Sequence, residues 1–252
     1  MIVACIRGRF FIERWYTIRS MSNVSTGDAL QVIQTFEPEA RQGYAPWLGF
    51  HNFDHVLREI PYLVKQWAIC DTYGIEVDKV ETGVAWLRHD YEFGVPGDSG
   101  FDSKEARSET LTREELRRKG WAAERIAKVS SPILATALDS DITCVNDLVV
   151  VRTDLNNIWG MYPFMARTAL VLRREEERMS GKLMTFETLQ EKVEDRLGRY
   201  LDRDMALTDD ERSPDGGDSL PNKTGKANLR RFLNETPESL AEIVRMHVES
   251  IR

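Results

Sequence analysis

The sequence predicts an all-helical fold built as a single domain. Apolar residues recur at three- and four-residue steps through most of the chain, which is the spacing of one face of a helix. The chain has 252 residues, of which 42% are apolar, and this is enough for one sizeable core. No internal repeat and no sustained heptad is present, so a globular helical bundle is the expected architecture.

Capping residues and chain breakers define the first helices. The stretch 25–28 offers N-cap chemistry ahead of a helix whose apolar face begins at Ala29. A loop with glycine and proline, 43–49, separates it from a second helix, which ends before Gly74. We expect the segment around His51 to lie on this second helix.

Helix signals continue through the middle of the chain. Residues 77–87 carry the next helical stripe, and Ser103 is the predicted N-cap of a helix over 104–118. A glycine separates that helix from one over 121–138. The stretch 141–161 holds a very apolar run that, taken alone, is also typical of a buried strand. Helical patterns flank it on both sides, so we interpret it as a buried helix.

The C-terminal part predicts three further helices and one loop. The helices are expected over 163–179, 186–201 and 237–251, and a proline stands in the first turn of the first and the last. Between them, 208–226 is low in apolar residues and rich in chain breakers, which predicts a flexible inserted loop. The helical domain is expected to cover 25–252.

Composition argues against several classes of protein. Lysine and arginine total 34 against 41 for aspartate and glutamate, and the net charge of −7 repels nucleic-acid backbones and anionic membranes. Nucleic acid is therefore not the expected partner, and no window of about eighteen apolar residues predicts a membrane span. Three cysteines without Cys-x-x-Cys spacing argue against a disulfide framework, so the expected location is the reducing cytoplasm.

Residues 1–24 are predicted to be an N-terminal extension outside the domain. Charged residues such as Arg7 and Glu13 interrupt every apolar run there, which argues against a secretory signal. A second methionine, Met21, stands just before the first domain helix. We expect the segment before it to be dispensable, so that a chain starting at Met21 still folds and acts.

The densest chemical signal lies in two short segments. The chain has only four histidines, and three of them are His51, His55 and His89, the last followed directly by Asp90. His51 and His55 are four residues apart, so on a helix both imidazoles would leave the same face. Imidazoles with a carboxylate form a mixed nitrogen and oxygen site, which suits a borderline divalent metal and leaves room for a water nucleophile.

Three elements occur in a fixed order along the chain: His51-Asn52-x-x-His55, His89-Asp90 and Asp154-Leu155. In this order they resemble the HD-domain metal-dependent phosphohydrolase superfamily. The similarity is closest to a branch of predicted HD phosphohydrolases that opens on a Tyr-x-x-Pro and Tyr-His-Asn-x-x-His segment. Here the opening reads Tyr44-Ala45-Pro46-Trp47-Leu48-Gly49-Phe50-His51-Asn52. Weaker matches follow in the expected order, and the resemblance covers roughly 30 to 233. These weaker matches are Glu105-x-x-Ser108, Arg174-Glu175 and Ala227-Asn228-Leu229.

The resemblance implies a site for one divalent metal ion. A two-metal site is not expected, because no further histidines are available for it. Asp147 competes with Asp154 as the last ligand, and Asp154 is favoured because Leu155 follows it as in the family. The metal can be Mn, Fe, Co, Ni, Zn or Mg. The expected ligands are His55, His89, Asp90 and Asp154.

Residues around the metal receive roles in acid–base chemistry and substrate binding. By analogy with cyclic-nucleotide phosphodiesterases, distant HD relatives, His51 is the expected general acid, with metal ligation as its alternative role. Glu92 and Glu105 are the carboxylates available to take a proton from water. Basic side chains suit phosphate oxygens. The predicted substrate-binding residues are Asn52, Lys104, Arg107 and Arg174.

These expectations describe a metal-dependent phosphohydrolase. A divalent ion lowers the pKa of bound water from about 15.7 towards neutrality and so supplies a hydroxide for attack on phosphorus. The substrate implied by the resemblance is a small phosphorylated metabolite, a nucleotide above all. The alternative is a degenerate HD domain that binds a nucleotide or a partner, since Leu48 and Lys104 replace an arginine and an asparagine of the branch. A nuclease is disfavoured by the acidic charge balance, and the oligomeric state stays open.

Overall fold

The structure is a computed structural model that describes residues 24–91 and 101–250. Within these ranges the chain is all-helical and has no β-strand, which confirms the predicted fold class. None of the helices described is both long enough and apolar enough to cross a membrane. The helices are α1 (Thr26–Gln42), α2 (Phe53–Tyr73), α3 (Lys79–Arg88), α4 (Lys104–Arg118), α5 (Ala123–Ala135), α6 (Val145–Asp154), α7 (Asn156–Trp159), α8 (Tyr162–Ser180), α9 (Phe186–Leu201), α10 (Leu220–Leu233) and α11 (Pro237–Ser250).

Local capping chemistry sets several helix ends where the sequence predicted them. Ser25 caps α1 by accepting the backbone N–H of Asp28 at 3.1 Å, and Ser103 caps α4 by accepting the N–H of Ala106 at 3.1 Å. A cap of this kind contributes about 1 kcal/mol. Gly74 ends α2 with a φ of 65°, in the left-handed region that glycine adopts without steric cost.

Two helices near the histidine segments differ from the prediction. Asn52 is the N-cap of α2, so the helix begins at Phe53 and His51 lies in the loop before it. The helix predicted over 141–161 is divided: α6 ends at Asp154 and the short α7 follows. Both differences matter for the site, because they place His51 and Asp154 at chain bends and not within helix faces.

The stretch predicted as a flexible inserted loop, 208–226, is a loop only in part. Its last residues are helical, because α10 begins at Leu220. The preceding residues are held against the core by Arg152 of α6. Its buried guanidinium forms a bidentate contact with Glu211, in which Nη2 donates to Oε1 at 2.9 Å. The loop is therefore shorter and more firmly held than its composition suggests.

Helix α3 lies at the centre of the fold. All ten of its residues are buried, and it packs against α1, α2, α5 and α6. Gly83 permits the close approach of α1, since a Cβ atom at this position would lie 2.0 Å from Cδ1 of Ile33. One hydrophobic core runs from Ala29 to Leu240. The residues that follow α3, His89 and Asp90, therefore emerge inside the molecule.

Most of the predicted N-terminal extension, 1–24, lies outside the described residues. Its last residue, Val24, is described and packs against the core. That the segment before Met21 is dispensable stays a prediction.

Candidate metal centre

The ends of three helices meet at one point. His55 stands in the first turn of α2, His89 is the C-cap of α3, and Asp154 is the last residue of α6. Oδ1 of Asp154 lies 3.6 Å from Nε2 of His55 and 3.5 Å from Nε2 of His89. One ligand atom from each residue lies within 4.8 Å of the others. The fourth predicted ligand, Asp90, adjoins them, with its Oδ2 3.0 Å from Nε2 of His89.

The separations of 3.0 to 3.6 Å that involve the two carboxylates suit ligands that share one ion. Two atoms that each lie about 2.1 Å from an ion are about 3.0 Å apart at a right angle and about 3.4 Å apart at the tetrahedral angle. In the described part of the chain, Nε2 of His55, Nε2 of His89 and Oδ2 of Asp90 are buried and form no hydrogen bond. These atoms face one another and the carboxylate of Asp154 at 3.0 to 3.6 Å. The residues therefore fit a divalent cation.

The ring of His89 is oriented by Trp86. Its Nδ1 lies 2.8 Å from the carbonyl oxygen of Trp86, and the two rings stack with centroids 4.3 Å apart and planes 12° apart. A carbonyl oxygen can only accept, so Nδ1 carries the proton and Nε2 faces Asp154. This is the arrangement in which a neutral imidazole ligates a metal through Nε2.

The ring of His55 is fixed mainly by aromatic contacts. Phe50 packs on it with centroids 4.2 Å apart, and Trp86 meets it edge-on at 5.5 Å. Its Nδ1 lies 3.4 Å from Nη2 of Arg58, a long contact in which the guanidinium donates. Ligation through Nε2 requires the proton on Nδ1, so Arg58 has to turn away when His55 takes up a metal. Half of the Arg58 side chain is exposed, which leaves it room to do so.

Burial and neighbouring charges oppose each other at the cluster. Burial lowers the pKa of His89, but the charge of Asp90 and the contacts with Asp154 outweigh it and raise that pKa to about 10. Burial raises the pKa of Asp90, yet the charges of His89 and Lys104 hold it well below its usual range. The pKa of Asp154 is lowered in the same way, by its contacts with His55 and His89 acting against burial. A cation that binds Nε2 of His89 therefore has to displace a proton.

The prediction that His51 and His55 share a helix face is wrong, because Asn52 starts the helix between them. His51 is instead held by Glu175 of α8. One oxygen of Glu175 contacts Nδ1 of His51, and the other accepts the backbone N–H of His51 at 3.2 Å and of Phe50 at 2.9 Å. The ring of Phe50 lies between the two imidazoles, with its centroid 5.2 Å from that of His51 and 4.2 Å from that of His55, so His51 is one ring away from the cluster. Glu175 was not among the predicted site residues, and the weak Arg174-Glu175 match is its only signal in the sequence.

The side chain of Asn52 forms hydrogen bonds with the backbone, and its predicted contact with substrate stays a prediction. Its Oδ1 accepts the backbone N–H of His55 at 2.9 Å, and its Nδ2 donates to the carbonyl oxygens of Leu48 at 2.8 Å and Gly49 at 3.2 Å. The side-chain amide is thus used on the backbone at both ends. Asn52 fixes the first turn of α2 and with it the position of His55.

Two predicted residues of α4 reach the cluster. The ammonium of Lys104 contacts Oδ1 of Asp90 and lies 3.1 Å from Oε1 of Glu105. Both carboxylates are buried, with exposed side-chain fractions of 1% for Asp90 and 7% for Glu105. Tyr200 of α9 donates its hydroxyl to the carbonyl oxygen of Thr136 at 2.9 Å, and burial together with the charge of Asp154 raises its pKa to about 12. Sequence patterns did not predict this residue.

Three predicted site residues remain, and they are Arg107, Arg174 and Glu92. Arg107 is partly buried on α4. Arg174 is exposed on α8, because the neighbouring Glu175 is the residue that turns inward. Glu92, a predicted base, lies outside the described residues. The roles of these three residues stay predictions.

Asp147, the competitor of Asp154, is engaged elsewhere. It accepts hydrogen bonds from Oγ of Ser131 at 2.7 Å and from the backbone N–H and Oγ1 of Thr143 at 2.9 Å and 2.7 Å. It is fully buried in the first turn of α6, at the other end of that helix from Asp154. The geometry therefore favours Asp154 as the carboxylate that joins the two histidines.

Comparison with known proteins adds no relative to this description. No protein-family model matches the chain, and no curated protein and no solved structure matches it significantly.

Proposed function

We propose that this protein is a metal-dependent phosphohydrolase of the HD type. It takes one divalent ion between His55, His89, Asp90 and Asp154. The observation that carries the proposal is the convergence of buried ligand atoms that lack hydrogen bonds, Nε2 of both histidines and Oδ2 of Asp90. Buried polar atoms that face one another without forming hydrogen bonds are rare in folded proteins. A cation is the partner that satisfies nitrogen lone pairs and carboxylate oxygens at once.

A divalent ion in this position supplies Lewis-acid chemistry, because it activates water at neutral pH and neutralises charge on a phosphate oxygen. The protein residues divide the other tasks. Lys104 provides positive charge for the phosphate, and Glu105 is the buried carboxylate available to take a proton. His51, held by Glu175, gives a proton to the leaving oxygen.

The donor set favours some metals over others. Two imidazoles with carboxylates suit Mn, Fe, Co, Ni or Zn better than Mg, which prefers oxygen ligands only. We propose a small phosphorylated metabolite, a nucleotide above all, as the substrate, on the basis of the resemblance to HD phosphohydrolases. The non-reacting part of such a substrate has space in a cleft of about 330 Å³ beside the centre, lined by Phe50, Arg58, Asn156 and Arg167 among others.

A reducing location agrees with the cysteines. Cys70 is buried and Cys144 exposed, and both carry free thiols. We therefore keep the cytoplasm as the proposed location.

The test is phosphate release from nucleoside mono-, di- and triphosphates with each metal in turn. Asp154→Asn should abolish release and metal uptake, because it removes the carboxylate shared by both histidines. Asp54→Asn makes the same chemical change on the exposed side of α2 and should leave both unchanged. Release from no substrate with any metal would refute the enzymatic proposal.

The second candidate is a domain that binds a nucleotide or a partner without catalysis. The contact between Lys104 and Asp90 favours it, since an ammonium can neutralise this carboxylate in place of a metal. Metal analysis separates the two, because a domain of this kind purifies without an ion and takes none up.

A further inference from the structure

We propose that the ammonium of Lys104 occupies the position of a second cation, so that this centre accepts one divalent ion only. Removing the ammonium should open a second metal position between Asp90 and Glu105. The inference rests on the proposed function, because it concerns the metal content of the same centre.

The two oxygens of Asp90 face different partners. Oδ2 lies 3.0 Å from Nε2 of His89, on the side of the candidate ligands His55, His89 and Asp154. Oδ1 contacts Nζ of Lys104, which also lies 3.1 Å from Oε1 of Glu105. Asp90 therefore bridges the cluster on one side and a positively charged nitrogen on the other.

This bridging pattern is the one that two-metal hydrolases require. In such sites two ions lie about 3.5–4 Å apart and act together on the attacking and the leaving oxygens. A carboxylate that offers one oxygen to each ion can link them. Here Asp90 has this arrangement, and Glu105 adds a second carboxylate, but the nitrogen of Lys104 stands where the second ion would bind.

Formal charge leads to the same conclusion. Asp90, Asp154 and Glu105 contribute three negative charges and Lys104 one positive charge, which leaves −2 with neutral histidines. One divalent ion neutralises this group. A second ion would leave the group with an excess charge of +2 in a buried site, where the desolvation cost of unbalanced charge is high.

The position of Lys104 is built into the fold. Ser103 caps α4 and so fixes the first turn, in which Lys104 and Glu105 are neighbours. One turn later, Oγ of Ser108 donates to the carbonyl oxygen of Tyr91 at 2.9 Å, which ties α4 to the chain just after Asp90. Lys104 therefore reaches Asp90 from a helix that is held on both sides of the contact.

The experiment is the metal stoichiometry of four proteins after saturation with Mn²⁺ and removal of excess ion. The wild type should bind one ion per chain. Lys104→Met keeps the aliphatic stem without the charge and should bind two, with the spin coupling of an ion pair in the electron paramagnetic resonance spectrum. Lys104→Arg keeps the charge and should bind one. Lys104→Met combined with Glu105→Gln should return to one, because the second position loses a carboxylate.

Each outcome distinguishes this inference from the proposed function. A wild type that binds no ion refutes the proposed metal centre itself. If the wild type and Lys104→Met each bind one ion, only the proposed role of Lys104 is refuted. The same holds if the wild type binds two ions. If Lys104→Met does not fold, Lys104→Ala carries the same test, since it also removes the nitrogen that contacts Asp90.

Discussion

The carboxylate of Glu175 holds both the ring and the backbone of His51. One of its oxygens contacts Nδ1 of the imidazole, and the other accepts the backbone N–H of His51 at 3.2 Å. Glu175 is 4% exposed, and burial raises its pKa, but the contact with His51 outweighs this effect and keeps the pKa below its usual value. A charged carboxylate therefore fixes the tautomer and the orientation of a histidine at the edge of the candidate metal centre.

We expect Glu175→Gln to lower kcat for phosphate release by about 10–100-fold, because a misoriented acid loses part of the 10²–10⁴-fold contribution of proton transfer. KM and metal content should stay the same, since Glu175 touches neither phosphate nor the ligand atoms. The loss should be much smaller for a nitrophenyl phosphate ester, whose leaving group needs no proton. Steady-state kinetics with both substrates measures the difference.

Glu176→Gln is the matched control, because Glu176 is the next residue of α8 and contacts Lys192 on the surface. This variant should behave as the wild type does. If Glu175→Gln lowers kcat equally for the nitrophenyl ester and for a substrate whose leaving group needs a proton, His51 does not act as the acid.

The sequence identifies those residues of the site whose signal lies within a short segment of the chain. His55, His89 and Asp90 stand out because histidine is rare in the chain, and Asp154 follows from the resemblance alone. The helix caps at Ser25 and Ser103 were predicted correctly for the same reason, since a cap is formed within four residues.

The rest of the site depends on contacts between distant segments. Glu175 meets His51 across 124 residues, and Arg152 meets Glu211 across 59. No periodicity or composition in the sequence encodes such pairs. Asn52 illustrates a different difficulty, because an asparagine beside two histidines is typical both of a substrate contact and of a helix cap. Only the fold shows that its amide forms hydrogen bonds with the backbone.

Metal binding should stabilise the folded protein. At a free metal concentration 100 times the Kd, the ion adds about 2.7 kcal/mol to the free energy of unfolding. For a chain of this size, we expect Tm to rise by roughly 5–10 °C. His89→Gln should remove the rise, because it deletes one of the converging nitrogens, whereas Asp54→Asn should retain it. Thermal unfolding with and without Mn²⁺ measures the effect, and an equal rise in all three proteins would indicate binding elsewhere.

Arg58 should weaken metal binding. Its Nη2 lies 3.4 Å from Nδ1 of His55 and can only donate, whereas ligation through Nε2 places a proton on that Nδ1. Arg58→Gln offers an amide oxygen that accepts this proton in a hydrogen bond. We expect the metal affinity to increase about 3–10-fold, which corresponds to about 1 kcal/mol. Competition with a coloured chelator measures the change.

Lys65→Gln controls for the general loss of positive charge, because Lys65 is exposed on the same helix and faces the ring of Tyr62. The two variants lose the same charge, so an equal gain in affinity would show that the charge, and not the contact with His55, is responsible.

The pair of Arg152 and Glu211 should make the fold sensitive to acid. Burial raises the pKa of Glu211, but the hydrogen bonds from Arg152 outweigh it and hold the pKa below its ordinary value of 4.5. A carboxyl group whose pKa is lowered by folding contributes stability that is fully present above its unfolded pKa. This contribution is lost as the pH falls through the lower, folded pKa. Stability should therefore decline below about pH 4.5 as this contact is protonated.

Glu211→Gln tests this linkage. At pH 7 the free energy of unfolding of the variant should be about 2–3 kcal/mol lower than that of the wild type. The reason is that Arg152, which is 3% exposed, keeps its charge without a charged partner. The difference should shrink as the pH falls below 4.5 and the wild-type carboxyl takes up its proton, since protonation removes the same charge that the substitution removes. Asp209→Asn, a change at a fully exposed neighbour, should follow the wild-type curve at every pH. Urea unfolding at a series of pH values measures all three curves, and a constant gap between wild type and Glu211→Gln would show that the carboxylate contributes through packing and not through its charge.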